Sequence, residues 1–383
     1  MHLPVRYSVR NLLRRKVRTL LAVLAIGLAV GVSVGLFAFG RGVLAAARDS
    51  GSAGNVMIID RKAANAAFST IRLADYNLLK SLPQVARDQN GDPLLSPEVI
   101  HQCRVHAGDN DNRAGTVRGV TPRVFALNKR LRMLEGEPPS GGRHIAVGDL
   151  AAAALRVPAE SLSIGNEILF EGQSWKIVGR YSTGGSAMDG EIMANLAELM
   201  AVLNRDGYSC VVAQAASLSD VAPLIVALNG RNDIQFKAVR ETEYYREMSE
   251  GYQRIILLVV LVSIMATIGG LVSGLNTMYA SVLGRMREIG TLKVMGFSNG
   301  AILRSFMVES MVLALLGALL GCALAWPVDG MGARFTSSAL RVSVDAWAVG
   351  GGVIIAVLIG ILGAVMPALG GLRTSITNAL GAD

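Results

Sequence analysis

Four long stretches of this chain carry no charge, and they constrain its folding more than any other feature. Residues 19–40, 255–284, 310–328 and 346–372 run for 22, 30, 19 and 27 residues without Asp, Glu, Lys or Arg. A helix needs about 20 mostly apolar residues to cross a hydrocarbon core about 30 Å thick. Buried helices of soluble proteins are usually shorter and show a polar stripe. Charged residues are 17% of the chain and mean hydropathy is +0.43, where a soluble domain is about one quarter charged. That hydrophobicity also excludes intrinsic disorder. The spacing predicts four membrane spans at 19–40, 255–283, 304–328 and 347–370. The first is too long for the h-region of a signal peptide, which is about 7–15 residues, so Ala45-Ala46-Ala47 is not read as a cleavage site.

Charge in the short connections sets orientation. The basic segment 1–18 holds Arg6, Arg10, Arg14, Arg15, Lys16 and Arg18 with no acid. The segment 284–303 holds Arg285, Arg287 and Lys293. Both are expected on the cytoplasmic side. The loop 329–346 balances Arg334 and Arg341 with Asp329 and Asp345 and is expected outside. The tail 371–383, with Arg373, returns inside. Residues 41–254 then form one extracytoplasmic insertion, large enough for its own core. The architecture expected is an α-helical membrane protein of four helices (one plus three) with a large α+β domain between helices 1 and 2. The net charge of +8 follows from this topology and from contact with lipid headgroups, so no nucleic-acid partner is expected.

Small residues recur every four positions in each span. Gly27, Gly31 and Gly35 lie in the first; Gly270 and Gly274 in the second; Gly317 and Gly321 in the third; Ala356, Gly360 and Ala364 in the fourth. Such spacing lets helix backbones approach closely in lipid, within one chain or between two. Apart from Glu309, and Arg304 at the start of the third, the spans have no Asp, Glu, His, Lys or Arg, which argues against a transporter driven by an ion gradient. Glu309 itself is open to a coupling or a structural role.

Within the insertion, 75–82 reads as a helix stopped by Pro83 and 166–179 as a hairpin turning around Glu171. The segment 191–204 reads as a helix, 208–213 as a short strand, 217–229 as a helix beginning at Ser217 or Ser219, and 241–254 as a charged helix running into the second span. His101, Cys103 and His106, followed by Asp109 and Asp111, offer donors for zinc or copper. A well-spaced fourth ligand is missing, so the run is read as a polar surface loop and no metal is assigned. Gly184–Glu191 reads as a flexible loop carrying two acids. Cys103 and Cys210 share an oxidising side, and their pairing is left open. No catalytic constellation is present, and no G-x-x-x-x-G-K-[ST] phosphate loop occurs.

The stretch 284–309 is the most informative. Met286, Ile289, Leu292 and Met295 repeat every three residues, with Arg285, Arg287, Glu288 and Lys293 around them. Gly296 is a helix stop and Ser298 a cap for the next helix. The second span is expected to continue as helix to Gly296. The stripe suits either a membrane surface or a partner's groove.

Arg287-Glu288-Ile289-Gly290, then Lys293, Gly296, Ile302 and Glu309, resembles the cytoplasmic signature of ABC transporter permeases of the MacB/FtsX class. The run Arg10-Asn11-Leu12-Leu13-Arg14-Arg15-Lys16-Val17-Arg18-Thr19 is similar to the segment that leads that family into the membrane. Leu95-Ser96-Pro97, Gly119-Val120-Thr121-Pro122, Gly136, Gly148 and the Trp175–Gly179 strand resemble its extracytoplasmic domain. The resemblance implies a permease in the cell inner membrane that pairs with a second copy or a paralogue. It also implies recruitment of two separate ATPase subunits, which would hold ATP and Mg; this chain would hold no cofactor and would not itself be an enzyme. Coupling to the ATPase would fall to Arg285, Met286, Arg287, Glu288, Ile289, Gly290, Leu292, Lys293, Met295 and Gly296. ATP-driven closure would move the outside domains to export or extract a lipoprotein, lipid, peptide or drug, with an adaptor or substrate protein as further partner. The alternative implied is a regulator of a cell-wall hydrolase.

Overall fold

The computed structural model describes residues 16–48, 50–108, 110–231, 235–250, 253–335 and 338–372. The chain divides into two compact units. One comprises Met1–Arg41, Arg254–Met331 and Val342–Asp383, the other Gly42–Gln253 and Gly332–Arg341.

The second unit is the extracytoplasmic domain. It follows helix α1 (Lys16–Arg48). Its elements are β1 (Asn55–Asp60), β2 (Ile71–Arg72), α2 (Leu73–Leu79), β3 (Leu95–Ala107), β4 (Asn110–Val120), α3 (Val124–Leu127), β5 (Arg132–Gly136) and β6 (His144–Gly148). Then come α4 (Ala151–Leu155), β7 (Glu167–Phe170), β8 (Gln173–Ser182), β9 (Ile192–Asn195), α5 (Leu196–Val202), β10 (Gly207–Tyr208), β11 (Cys210–Gln214), α6 (Val221–Asn229), β12 (Phe236–Arg240) and α7 (Glu241–Glu250). Ten strands join in one sheet, in the order β12-β1-β11-β3-β4-β9-β6-β8-β5, with β7 pairing both β3 and β8. The strands β3-β4-β9-β6-β8-β7 therefore form a closed ring. Its seam is the short β3–β7 ladder, His106 opposite Leu169 and Ala107 opposite Ile168.

Alternation along β1 and β11 splits the apolar residues between two faces. Val56, Ile58, Val211 and Ala213 join the main core with Leu224 and Leu228 of α6. Met57, Ile59, Cys210 and Val212 face the other way and pack with Tyr244 and Tyr245 of α7. Inside the ring, Phe170 and Trp175 stack with centroids 4.7 Å apart. The β7–β8 hairpin turns on Glu171 and Gly172, both with positive φ (50° and 68°), as a two-residue primed turn requires.

Two expectations change here, and one open question closes. Residues 192–195 are strand β9 rather than helix, because they lie between β4 and β6 in the sheet; the helix starts only after Asn195, whose side chain accepts from the amides of Ala197 and Glu198. The run from His101 to Ala107 is strand β3, not a surface loop; Asp109 lies outside the described residues. Cys103 and Cys210 are both free, and they belong to opposite faces of the sheet, Cys103 against the main core and Cys210 in the second cluster. Residues 251–252, where the charged helix would meet the second span, are outside the described residues. The hairpin β13 (Gly332–Phe335) and β14 (Ser338–Arg341) comes from the loop between spans three and four, yet it belongs to this unit. A Cβ at Gly332 would lie 2.5 Å from that of Ala153, and Arg341 pairs with Asp149.

The membrane unit is built on four helices long and apolar enough to cross a bilayer: α1, α8 (Gln253–Leu283), α10 (Asn299–Ala325) and α11 (Ala346–Leu372), with α9 (Met286–Val294) preceding α10. Glycines bring α1 onto α10: a Cβ on Gly321 would sit 2.7 Å from the Gly27 carbonyl and 2.8 Å from the Gly31 nitrogen. One on Gly317 would meet Ile26 at 2.6 Å, and one on Gly27 would meet Leu320 at 2.9 Å. Gly270 of α8 sits against Ala29 of α1, and Gly274 against Ile359 of α11. Gly35 differs: nothing lies within 4 Å of its missing Cβ. Arg41 near the end of α1 pairs with Asp345 before α11 at 2.9 Å, and Asp345 also accepts from the Ala348 amide.

Candidate functional site

The segment 284–309 breaks where continuous helix was expected. Helix α8 ends at Leu283, Gly284 and Arg285 turn, and α9 begins at Met286. The reason is an ion pair. Arg285 turns inward and donates through both terminal nitrogens to Glu309 of α10, at 2.8 and 3.0 Å, and Ser281 adds a hydroxyl at 3.2 Å. Arg285 is 6% exposed and Glu309 3%. A bidentate guanidinium–carboxylate pair fixes orientation as well as distance. Glu309 is thereby a clamp that holds the α8–α9 turn against α10, and the Phe306 ring lies 5.8 Å from the Arg285 guanidinium.

The apolar stripe divides in consequence. Ile289 and Gly290 are buried. Ile289 and Leu292 line a small cavity with Ile302, Ser305 and Phe306, so the stripe covers the chain's own α10. Exposed on α9 and just beyond are Arg287, Glu288, Thr291, Val294, Met295 and Gly296, while Met286 and Lys293 are half-buried. Glu288 in the first turn and Lys293 in the last complement the helix dipole. Gly296 has φ +86°, the left-handed conformation of a helix stop. Ser298 caps α10 by accepting from the Ala301 amide.

The extracytoplasmic domain buries a second guanidinium, which the sequence reading missed. Arg118 of β4 donates to Glu191 at 2.5 and 2.9 Å and to Glu98 at 2.6 Å. All three are under 9% exposed. Arg118 stands opposite Ile100 on one side and Met193 on the other. Glu98 and Glu191 are each two residues from those partners and so share its face. The two flanking carboxylates raise the already high pKa of Arg118 against the opposing effect of burial. A lone Arg between Gly and Val carries no sequence signal for this; the register alone does.

Gly184–Glu191 is likewise not a solvent-facing acidic loop. Asp189 is fully buried and accepts from the Thr183 and Gly185 amides and from the Thr183 and Ser182 hydroxyls. It closes the loop while Glu191 grips Arg118. Glu241, at the start of α7, accepts from Asn55 Nδ2 and the Ser52 amide, each at 2.9 Å. Burial pushes its carboxyl up from 4.5 to about 7, against the pull of those two hydrogen bonds. It ties the start of β1 to α7, where a Cβ on Gly51 would lie 2.9 Å from the Glu241 carbonyl carbon.

His101, Cys103 and Glu171 come together at the ring's seam. His101 Nε2 and Glu171 Oε1 are 2.9 Å apart. Burial, then the Glu171 carboxylate, pushes the Cys103 thiol up to about 12, which leaves it protonated and a poor nucleophile.

Comparison with known proteins matches this architecture. Residues 19–230 match the family model of the MacB-like periplasmic core domain, and residues 260–376 that of the FtsX-like permease C-terminal region. The macrolide export ATP-binding/permease protein MacB of Chromobacterium violaceum is 26% identical over 258 residues, 67% of this chain and 38% of that protein. The ABC transporter permease YknZ of Bacillus subtilis is 25% identical over 321 residues, 79% of this chain and 77% of that one. The chain thus spans about two fifths of the length of that MacB relative. Among solved structures, the periplasmic region of MacB from Actinobacillus actinomycetemcomitans overlays 54% of this chain and 97% of its own, with a TM-score of 0.39 and 11% identity. Both family models fall in order along one chain, the first covering more than half of it, and the chain belongs to the MacB/FtsX class of ABC transporter permeases.

Proposed function

We propose that the chain is the permease subunit of an ATP-powered transporter of the inner membrane, with both termini cytoplasmic. Separate ATPase subunits, two per complex, would supply the hydrolysis, and a second permease copy or paralogue would complete the membrane half. ATP-driven closure would act on α9 and be relayed to the extracytoplasmic domain, for export or extraction of an amphipathic substrate. The observation that carries this reading is the Arg285–Glu309 clamp. It turns a short helix into a rigid extension of the second and third spans, so a push on α9 moves helices rather than bending a loop. The MacB relative's name joins ATP-binding and permease functions in one protein, which supports the same pairing here. The first family model is the MacB-like core, and the hydrolase-regulator alternative is not carried forward.

The exposed tip of α9 is the part available to a partner. Met295→Asp and Val294→Asp should abolish co-purification of an ATPase subunit with the tagged full chain from its native membrane in mild detergent, with membrane insertion unchanged. Ile289→Asp tests something else, since Ile289 packs inside the chain. If no ATPase accompanies the wild-type chain in any of several detergents, the proposal fails.

A further inference from the structure

We propose that His101, Cys103 and Glu171 form an extracytoplasmic binding site for a thiophilic divalent cation of the zinc type. One donor atom from each lies within 4.8 Å of the other two. His101 and Cys103 are two residues apart on β3 and project from the same face. Glu171 reaches them from the β7–β8 turn, where its left-handed backbone (φ 50°) lifts it out of the strand. The site occupies a break in the pairing of β3. On that edge β11 pairs only with Leu95–Glu98 and β7 takes over only at His106.

The donor set selects the ion. Imidazole nitrogen, thiolate sulfur and carboxylate oxygen together suit Zn²⁺, whereas Mg²⁺ and Ca²⁺ take oxygen ligands. Donors around a tetrahedral Zn²⁺ with bonds of about 2.0–2.3 Å stand roughly 3.3–3.6 Å apart. To reach that spacing the His101–Glu171 hydrogen bond of 2.9 Å would open by about half an ångström and the thiol would close in from within 4.8 Å. The Sγ–metal bond forms as the S–H bond breaks, and the proton leaves to water. His101 and Glu171 side chains are 27% and 39% exposed, so water can fill the fourth position. The bound ion would cross-link β3 to the β7–β8 turn at the ring's weakest ladder. This site is independent of the ATP-coupled reading.

The test is a Zn²⁺ titration of the metal-stripped full-length protein against a competing chromophoric chelator, with Co²⁺ as a second probe. One equivalent of Zn²⁺ should bind with submicromolar affinity. Co²⁺ should give the near-ultraviolet absorption of a thiolate ligand. Cys103→Ser should remove that absorption and weaken Zn²⁺ at least about tenfold; Glu171→Gln should weaken Zn²⁺ about tenfold and keep the absorption. Zn²⁺ should raise the unfolding temperature of the wild type and not of Cys103→Ser. A metal-free unfolding temperature equal to the wild type's verifies that each variant is folded. Binding weaker than micromolar, or binding and absorption that survive Cys103→Ser, would overturn the proposal.

Discussion

Among the described residues each of the two units buries one arginine, and the two are assembled from different reaches of the chain. Arg285 in the membrane unit is gripped bidentately by Glu309. Arg118 in the extracytoplasmic domain lies between Glu98 and Glu191. In the membrane unit Glu309 compensates the buried guanidinium directly, as a low-dielectric helix junction requires. In the domain β3, β4 and the residue that leads into β9 hold the three partners in place. The membrane clamp joins segments 24 residues apart in sequence. The domain site bonds Arg118 to a residue 73 positions away, and only the completed sheet assembles it.

Breaking the larger network should do the most damage. Arg118→Met leaves two carboxylates facing each other without a cation and should cost about 3–5 kcal/mol of domain stability, read as a fall in unfolding temperature of the full-length protein. Adding Glu98→Gln and Glu191→Gln to Arg118→Met should recover most of that loss; no recovery would show that the residue acts through packing instead. Glu309→Gln should cost less, about 2 kcal/mol, since the amide keeps an acceptor for Arg285. If ATP turnover in the complex is lost while the unfolding temperature holds, Glu309 has a coupling role beyond the clamp.

Smaller effects sharpen the contrast within the spans. Gly321→Ala puts a methyl group against the backbone of α1 and should cost about 1–3 kcal/mol, seen as a lower temperature for loss of the monodisperse peak on a detergent column. Gly35→Ala should be neutral by the same measure. Equal effects would mean that the contact at Gly321 is not structural. A further effect concerns pH. Glu241 titrates near 7 when folded, against an ordinary 4.5. The folded domain holds that proton more tightly, so its stability should fall as pH rises from about 4.5 to 7, by roughly 3 kcal/mol, and change little above that. Glu241→Gln should flatten this slope relative to wild type; an unchanged slope would assign it to other groups.

The sequence was most legible where one physical requirement acts alone. Apolar length and absence of charge placed the four spans, and the Glu171-Gly172 turn placed a hairpin. Gly296 and Ser298 marked a helix stop and start. It was least legible where partners are remote. The strand 192–195 looked helical because its apolar run continues into α5, and only pairing with β4 and β6 decides otherwise. Ile289 and Leu292 looked like a docking stripe because periodicity gives a face but not what covers it.

The chain's local chemistry thus determined that it spans a membrane four times, that its large domain sits between the first and second spans, and that small residues line the helices. Those features follow from hydrophobic transfer and backbone sterics, which act residue by residue. Tertiary structure decided which glycines touch, that Gly35 does not, that Glu309 clamps Arg285, and that Arg118 is held by two glutamates. It also gathered His101, Cys103 and Glu171 at one seam. Each of these depends on strand register or helix contact between distant segments, and no local window of sequence encodes that geometry.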